Sequence, residues 1–313
     1  MKIVELEEIR RVLPSIDLVE EIEAGFIAYS RGQSVVPPVG ELVMKDPPGD
    51  VHIKYGYLTG DDYYVIKIAS GFPGNPSQGL KSGNGMMLLF SQQTGVPVAL
   101  LKDEAWLTDV RTAVAGTITA KYLAPSKVER IGIVGTGLQA RLQLEYLEPV
   151  TDCRNVLVWG RDNGKLEQCA ADMRERGFDV ATTTAAGEIA GTCNLIVTTT
   201  MATEPILTGE LRPGTHVTAM GSDTPEKQEL AAELLGAADL VVVDSVPQSL
   251  VRGEVHHALN AGAIEESNLV ELGSIIAGDK PGRSDDSQVT IADLTGVAVQ
   301  DIKISKAVYE ALT

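Results

Sequence analysis

The stretch Val128-Glu-Arg-Ile-Gly-Ile-Val-Gly-Thr-Gly-Leu-Gln-Ala140 decides the fold of this chain. Its apolar, β-branched run from Arg130 to Val134 predicts a buried parallel strand. The segment Gly135-Thr-Gly137-Leu-Gln-Ala140 then fits the pattern G-x-G-x-x-A at the start of a helix. Its two glycines permit a tight turn and a close approach of the backbone to phosphate, while the helix start offers N–H groups to an anion. The stretch therefore predicts a dinucleotide-binding unit.

A second predicted strand, Asn155-Val-Leu-Val-Trp159, places the ribose-reading position about 20 residues further on. That position is Gly160, followed by Arg161 and Asp162. A carboxylate there would repel a 2′-phosphate, so its absence beside an arginine slightly favours NADP over NAD. The alternative is that Arg161 is solvated and Asp162 binds the ribose. The expected cofactor is NAD or NADP.

Beyond Trp159, helical and strand patterns alternate, which is typical of a doubly wound parallel sheet. Strands are expected at residues 180–182, 195–200, 216–220, 240–244 and 288–292, and helices at 165–176, 229–235 and 302–312. Ligands of such sheets bind at the carboxyl ends of the strands. Two of these ends carry polar residues, Thr198-Thr-Thr200 and Gly221-Ser-Asp223.

Composition excludes several classes of function. The net charge of −17 argues against a nucleic-acid or anionic-membrane partner, because both require a basic surface. No apolar run approaches the roughly 20 residues that span a bilayer, and the first residues lack the form of a signal peptide. The three cysteines have no disulfide or zinc-site spacing, so reduced thiols, no metal and a cytoplasmic protein are expected.

The first 124 residues are rich in β-strand patterns, with hairpins predicted for 51–70 and 86–101. Lys54 and Lys67 stand among apolar neighbours in the first hairpin. A buried lysine is costly, so each either extends to an edge or faces a polar cavity that holds an anion. Arg111 lies near the start of a predicted helix over 107–123, where a guanidinium suits a carboxylate or a phosphate. Residues 79–85 form a glycine-rich loop that either approaches a ligand or connects strands.

Asp223 follows the predicted strand 216–220 by three residues and precedes a Thr-Pro turn. A carboxylate at the end of a strand can face a substrate. The competing interpretation is an ordinary helix N-cap.

Seven motifs in order resemble the ornithine cyclodeaminase/μ-crystallin family over essentially the whole length. The motifs lie at 67–75, 94–99, 107–113, 133–140, 203–207, 221–225 and 295–301. The resemblance implies an α/β fold in which a Rossmann domain, 125–293, is inserted into a discontinuous α+β domain, 1–124 plus 294–313. The discontinuous domain would carry substrate residues and the interface of a homodimer.

The resemblance also implies roles for individual residues. Lys67 and Arg111 match the positions that hold the substrate carboxylate beside the nicotinamide, and Asp223 matches the acid that handles the amine or its water. We add Lys54 and Asn84 as substrate-binding residues. The positions expected to contact the dinucleotide are Thr112, Gly135, Gly137, Leu138, Gln139, Arg161, Thr199, Met220 and Thr295.

One departure from the family bears on the substrate. Some members carry an arginine where this chain has Gly40, and Lys54 is proposed to replace that cation. A point charge does not reproduce a bidentate guanidinium, which puts ornithine in doubt. The favoured activity is NAD(P)H-dependent reduction of a small cyclic or open-chain imino acid to the L-amino acid, or the reverse. The alternatives are a cyclodeaminase with tightly bound NAD and a non-catalytic dinucleotide- or ligand-binding protein.

Overall fold

The computed structural model describes all residues, 1–313, as two compact units. Unit 1 consists of Met1–Arg111 and Val297–Thr313, and unit 2 consists of Thr112–Gly296. The domain limits expected from the sequence, 124/125 and 293/294, stay predictions. None of the helices is long and apolar enough to cross a membrane.

Unit 1 is built mainly from strands. Its elements are β1 (Lys2–Glu5), α1 (Leu6–Val12), α2 (Leu18–Ser30), β2 (Ser34–Val35), β3 (Gly40–Lys45), β4 (Pro48–Leu58), β5 (Tyr63–Gly71), β6 (Gly83–Ser91), β7 (Pro97–Lys102), the first residues of α3 (Trp106–Leu123) and, after unit 2 in the chain, α11 (Val299–Glu310). Asp17 caps α2 by accepting a hydrogen bond from the N–H of Glu20.

The strands of unit 1 form one sheet in the order β1-β7-β6-β5-β4-β2, with β3 also paired to β4. Strands β4 to β7 are successive antiparallel neighbours, which confirms both predicted hairpins. Alternate side chains point to opposite faces. Helix α11 packs across β4, β5 and β6, and the apolar side chains on the covered face are buried, among them Val65, Met87, Leu89, Ala99 and Leu101.

Unit 2 alternates strands and helices. Its elements after α3 are β8 (Ile131–Val134), α4 (Leu138–Tyr146), β9 (Asn155–Trp159), α5 (Asn163–Glu175), β10 (Asp179–Thr183), α6 (Ala186–Thr192), β11 (Leu195–Thr198), β12 (His216–Ala219), α7 (Ala232–Ala237), β13 (Leu240–Val243), α8 (Val246–Ser249), α9 (Gly253–Asn260), β14 (Leu269–Glu271), α10 (Leu272–Ile276) and β15 (Thr290–Asp293).

All eight strands of unit 2 are parallel, in the order β10-β9-β8-β11-β12-β15-β13-β14. The doubly wound sheet predicted from the sequence is therefore confirmed. Its two faces carry separate apolar cores, one containing Ile131, Ile133 and Val158 and the other containing Val134, Leu157 and Ile196. The strand order reverses next to β8, and the glycine-rich loop follows this strand.

Three local expectations were wrong. Residues 229–231 are extended rather than helical, because the carbonyl of Glu229 accepts hydrogen bonds from Ile206 and Leu207, and α7 starts only at Ala232. The predicted loop over 79–85 ends at Gly83, where β6 begins. The terminal helix starts at Val299, three residues earlier than expected, and thereby includes Asp301.

Candidate active site

Lys54 and Lys67 stand directly opposite each other on β4 and β5, on the face covered by α11. Only 5% of the surface of Lys54 and 2% of that of Lys67 is exposed. Two buried ammonium groups side by side repel each other and lose their hydration. The pair therefore needs an anion close by, and the first interpretation of Lys67, extension to an edge, does not apply.

Asp301 of α11 supplies that anion. Its Oδ2 lies 3.1 Å from Nζ of Lys67, and its Oδ1 lies 3.1 Å from Nε of Arg111. The guanidinium also donates to Oε1 of Gln300 at 3.2 Å. Burial by itself would raise the pKa of Asp301, but attraction by Lys67, Arg111 and Lys54 outweighs burial and holds this pKa below its ordinary value. Asp301 is thus an ionised carboxylate shared by a cationic cluster.

Arg111 reaches this cluster from the second turn of α3. The helix is preceded by Glu104 and Ala105, whose φ angles of 52° and 69° lie in the left-handed region. Oδ2 of Asp103, before this turn, accepts the N–H of Leu107 at 2.9 Å and so holds the first turn of the helix. Burial raises the pKa of Asp103 to about 6, although that hydrogen bond and the charge of Lys67 oppose the rise.

The structure brings together Lys54, Lys67 and Arg111, but it leaves out the fourth residue expected to bind substrate. Asn84 is an exposed residue of β6 and pairs with Ser70, and its side chain accepts the N–H of the next residue at 2.8 Å. It lies three positions from Met87, the partner of Lys67, so strand alternation places it on the opposite face. This arrangement gives Asn84 no part in the cationic cluster.

The glycine-rich loop of unit 2 has the geometry of an anion site. Gly135 has φ of +128°, and a Cβ there would lie 2.6 Å from Oγ1 of Thr199. Gly137 is the residue before the nine-residue helix α4, and a Cβ there would meet no atom within 4 Å. Leu138 and Gln139 form the first turn of α4, and the N–H groups of a helix start are suited to bind an anion. These residues fit the pyrophosphate of a dinucleotide.

The ribose-reading position is glycine for a packing reason. A Cβ at Gly160 would lie 2.7 Å from Cγ2 of Thr136. Asp162 is the N-cap of α5 and accepts the N–H of Lys165 at 2.9 Å, which counts against the alternative that it binds the ribose. Arg161 is exposed beside it. The preference for NADP over NAD stays a prediction.

Of the remaining residues expected to contact the dinucleotide, Thr199, Met220 and Thr295 follow strands, whereas Thr112 lies in α3. Both the N–H and the hydroxyl of Thr199 donate to the carbonyl of Val134, which ties the end of β11 to the start of the glycine loop. Thr295 is fully buried, and its hydroxyl donates to Asp244 at 2.9 Å. Nε2 of Gln143 links two others, because it lies 3.1 Å from the carbonyl of Thr112 and 2.8 Å from the sulfur of Met220.

Asp223 lies beyond the end of β12 with a side chain that is 38% exposed. Its Oδ1 is 2.6 Å from Nζ of Lys227, and its carbonyl accepts a hydrogen bond from Arg252 at 3.0 Å. The N-cap interpretation was wrong, since the next helix is α7 and its N-cap is Ala231. A carboxylate that is open to solvent can accept a proton, and its acid form can donate one.

Sequence reasoning missed the acidic residues that organise these sites, namely Asp103, Glu229, Glu254 and Asp301. Each is 1% exposed or less. A signal was present for Asp301, which follows the apolar run Val297-Ala-Val and is followed by Ile302. An acid within an apolar stretch has the same cost of burial as the lysines that the sequence did single out.

The raised pKa of Asp103 predicts a dependence of stability on pH. The folded protein binds this proton up to about pH 6, whereas the unfolded chain releases it near pH 4. The contribution is therefore complete below pH 4 and is lost as pH rises through 6. We expect the free energy of unfolding of the wild type to fall, relative to that of Asp103→Asn, by about 2–3 kcal/mol between pH 4 and pH 7. Urea unfolding of both proteins across this range measures it, and parallel pH profiles would contradict it.

Known proteins resemble this chain over nearly its whole length. A protein of Sinorhizobium fredii named as an uncharacterised cyclodeaminase is 42% identical over 99% of this chain and 95% of its own length. The structure of an archaeal alanine dehydrogenase dimer with bound NAD is 33% identical, with a TM-score of 0.89 over 99% of this chain and 95% of that one. The Δ1-pyrroline-2-carboxylate reductase of Thermococcus litoralis, in complex with NADH and L-proline, is 28% identical, with a TM-score of 0.92 over 99% and 97%.

The family model described as the ornithine cyclodeaminase/mu-crystallin family matches residues 2–313. With its parallel Rossmann sheet, its glycine-rich loop and relatives that align along nearly their whole length, this chain belongs to the ornithine cyclodeaminase/mu-crystallin family.

Proposed function

We propose that this chain is an NAD(P)-dependent oxidoreductase that interconverts a small imino acid and the corresponding L-amino acid. The observation that carries the proposal is the set of buried cations around Asp301 in a chain whose other unit has a dinucleotide-binding loop. Relatives with the same fold include an alanine dehydrogenase and a pyrroline-2-carboxylate reductase. Both names describe chemistry at the carbon that bears an amine or imine nitrogen beside a carboxylate.

The cationic cluster suits a carboxylate ligand. Lys67, Arg111 and Lys54 all attract the carboxylate of Asp301, so three cations converge on one buried place. A substrate carboxylate that meets Lys67 and Arg111 would be held by charge-assisted hydrogen bonds, which fix the position of the neighbouring α-carbon. The nicotinamide supplies the hydride or accepts it when bound. The role of the protein is therefore to hold and orient the reacting carbon.

Asp223 is proposed to bind the substrate nitrogen and to carry its proton. Reduction of an imine adds a hydride to carbon and a proton to nitrogen. Delivery of that proton requires a group that exchanges protons with solvent. Asp223 is partly exposed and lies 2.6 Å from Lys227, so it combines access to water with a fixed position. Retention of this acid favours an enzyme over a non-catalytic binding protein.

The cyclodeaminase reaction is the second candidate, favoured by the 42% identity to the protein from Sinorhizobium fredii. The two reactions differ in net redox change, because a cyclodeaminase regenerates its NAD whereas a reductase consumes NAD(P)H. Gly40 pairs with Ile53, and a Cβ at Gly40 would lie 3.4 Å from Cβ of Ile53. Lys54 is the next residue on β4 and points to the opposite face, so the expectation that it replaces the family arginine was wrong. The missing arginine still puts ornithine in doubt.

The activity is tested by following NADH and NADPH oxidation with cyclic imines and with keto acids plus ammonia. We expect oxidation with at least one small imino acid. Lys67→Met should lower kcat/KM by at least about a hundredfold, because it leaves the carboxylate without its buried partner. Lys102→Met, an exposed lysine of the same sheet, is the matched control and should retain activity. Full activity of a folded Lys67→Met variant would remove this lysine from the site.

The outer face of the unit 1 sheet is proposed to pair with a second copy of the chain. Opposite to α11, this face exposes a row of large side chains, with Tyr55 38%, Tyr57 36% and Met86 39% accessible. Tyr64 and Phe90 stack on the same face with ring centroids 4.9 Å apart. Apolar patches of this kind mark protein interfaces, and a relative with the same fold is described as a dimer.

The dimer is tested by sedimentation equilibrium. The wild type should have twice the mass of one chain, and Tyr55→Arg combined with Met86→Glu should halve it, because charges in the centre of an interface oppose association. Leu80→Glu, which changes an exposed side chain outside the sheet, should leave the mass unchanged. A monomeric wild type would contradict the proposal.

A further inference from the structure

The carboxylate of Glu229 joins the ends of two neighbouring strands in unit 2. Its Oε2 accepts the hydroxyl of Thr198 at 2.6 Å and the N–H of Gly221 at 2.8 Å, and its Oε1 accepts the N–H of Thr200 at 2.5 Å. Thr198 ends β11, while Gly221 follows β12 by two residues. Glu229 is fully buried, so these bonds are shielded from water.

A second acid holds Glu229 itself in place. Oε1 of Glu254 accepts the N–H of Glu229 at 2.8 Å and also the hydroxyl of Ser222, and its Oε2 accepts the N–H of Leu230 at 2.9 Å. Glu254 comes from α9, which is otherwise an amphipathic helix packed against the core. The segment that follows β12 is therefore fixed at its start by Glu229 and at its end by Glu254.

The atoms around the carboxylate of Glu229 are closely packed. A Cβ at Gly221 would lie 2.1 Å from the carbonyl oxygen of Thr200 and 2.5 Å from Oε2 of Glu229. The two loops and the carboxylate are thus in direct contact, and any movement of Glu229 must move Thr200 or Gly221. Such a buried, fully bonded group transmits its position to its neighbours.

The strand order indicates which half of a dinucleotide would lie next to these two loops. The pyrophosphate belongs at the helix that follows β8, and the residue after β9 reads the adenine ribose. β11 and β12 lie on the other side of β8, under the other half of the cofactor. Since it organises these two strand ends, we propose that Glu229 is the positioning residue for the nicotinamide half of the cofactor, an inference that rests on the proposed function.

The test separates the two halves of the dinucleotide. Glu229→Gln keeps the volume but turns one acceptor into a donor, so the N–H of Thr200 or of Gly221 loses its partner. We expect the Kd of NADH, measured by fluorescence titration, to rise about tenfold, which corresponds to the loss of one hydrogen bond to a charged group. The Kd of ADP-ribose, which lacks nicotinamide, should change by less than about twofold. If the wild type prefers NADPH, then NADPH and 2′-phospho-ADP-ribose replace these probes.

Glu233→Gln makes the same substitution at an exposed position four residues away and should bind both probes as the wild type does. Thr198→Val removes one hydrogen-bond donor to Glu229 without loss of side-chain volume. If Glu229→Gln does not fold, Thr198→Val takes its place and should likewise weaken the binding of NADH but not that of ADP-ribose. Equal weakening of both probes, or no weakening of NADH binding, in the folded variant would overturn the inference while leaving the proposed function intact. A wild type that binds neither NADH nor NADPH would overturn both.

Discussion

The carboxylate of Asp301 is the anion on which the substrate-binding part of this protein depends. Burial of a lysine or an arginine is tolerated only when a negative charge lies within contact distance. Asp301 meets this need for Lys67 and Arg111 together, at 3.1 Å from each. Helix α11 therefore fixes the positions of two cationic side chains, Lys67 of β5 and Arg111 of α3.

Unit 2 depends on a different constraint, the close approach of backbone segments at the ends of parallel strands. Gly135, Gly160 and Gly221 each lie where a Cβ would come within 3 Å of a neighbouring atom. Side chains at these places would separate the strand ends at this edge of the sheet. Glu229 complements the glycines, because it supplies acceptors for N–H groups that the loops leave unpaired within the sheet. Small residues and a buried acid thus shape the same edge.

The parts of the fold that follow from local pattern could be predicted from the sequence. The doubly wound sheet and both hairpins were predicted by alternation and turn residues, and Lys67 and Arg111 were singled out by cost of burial and position at a helix start. Asp301 is 190 residues from Arg111, and no local pattern indicates that they meet.

Residues 229–231 were predicted to be helical because the local pattern contains no information about Ile206 and Leu207, whose N–H groups hold that segment extended. Asn84 was misplaced because its strand begins earlier than the glycines suggested.

The coupling between Asp301 and Lys67 in urea unfolding tests the central claim most directly. Asp301→Asn leaves buried cations without their anion and is predicted to lower the free energy of unfolding by about 3–5 kcal/mol. Adding Lys67→Met removes one of those cations, so the double variant should be more stable than Asp301→Asn alone and the two changes should be non-additive by about 1–3 kcal/mol. Additive effects, or an Asp301→Asn variant as stable as the wild type, would contradict the account.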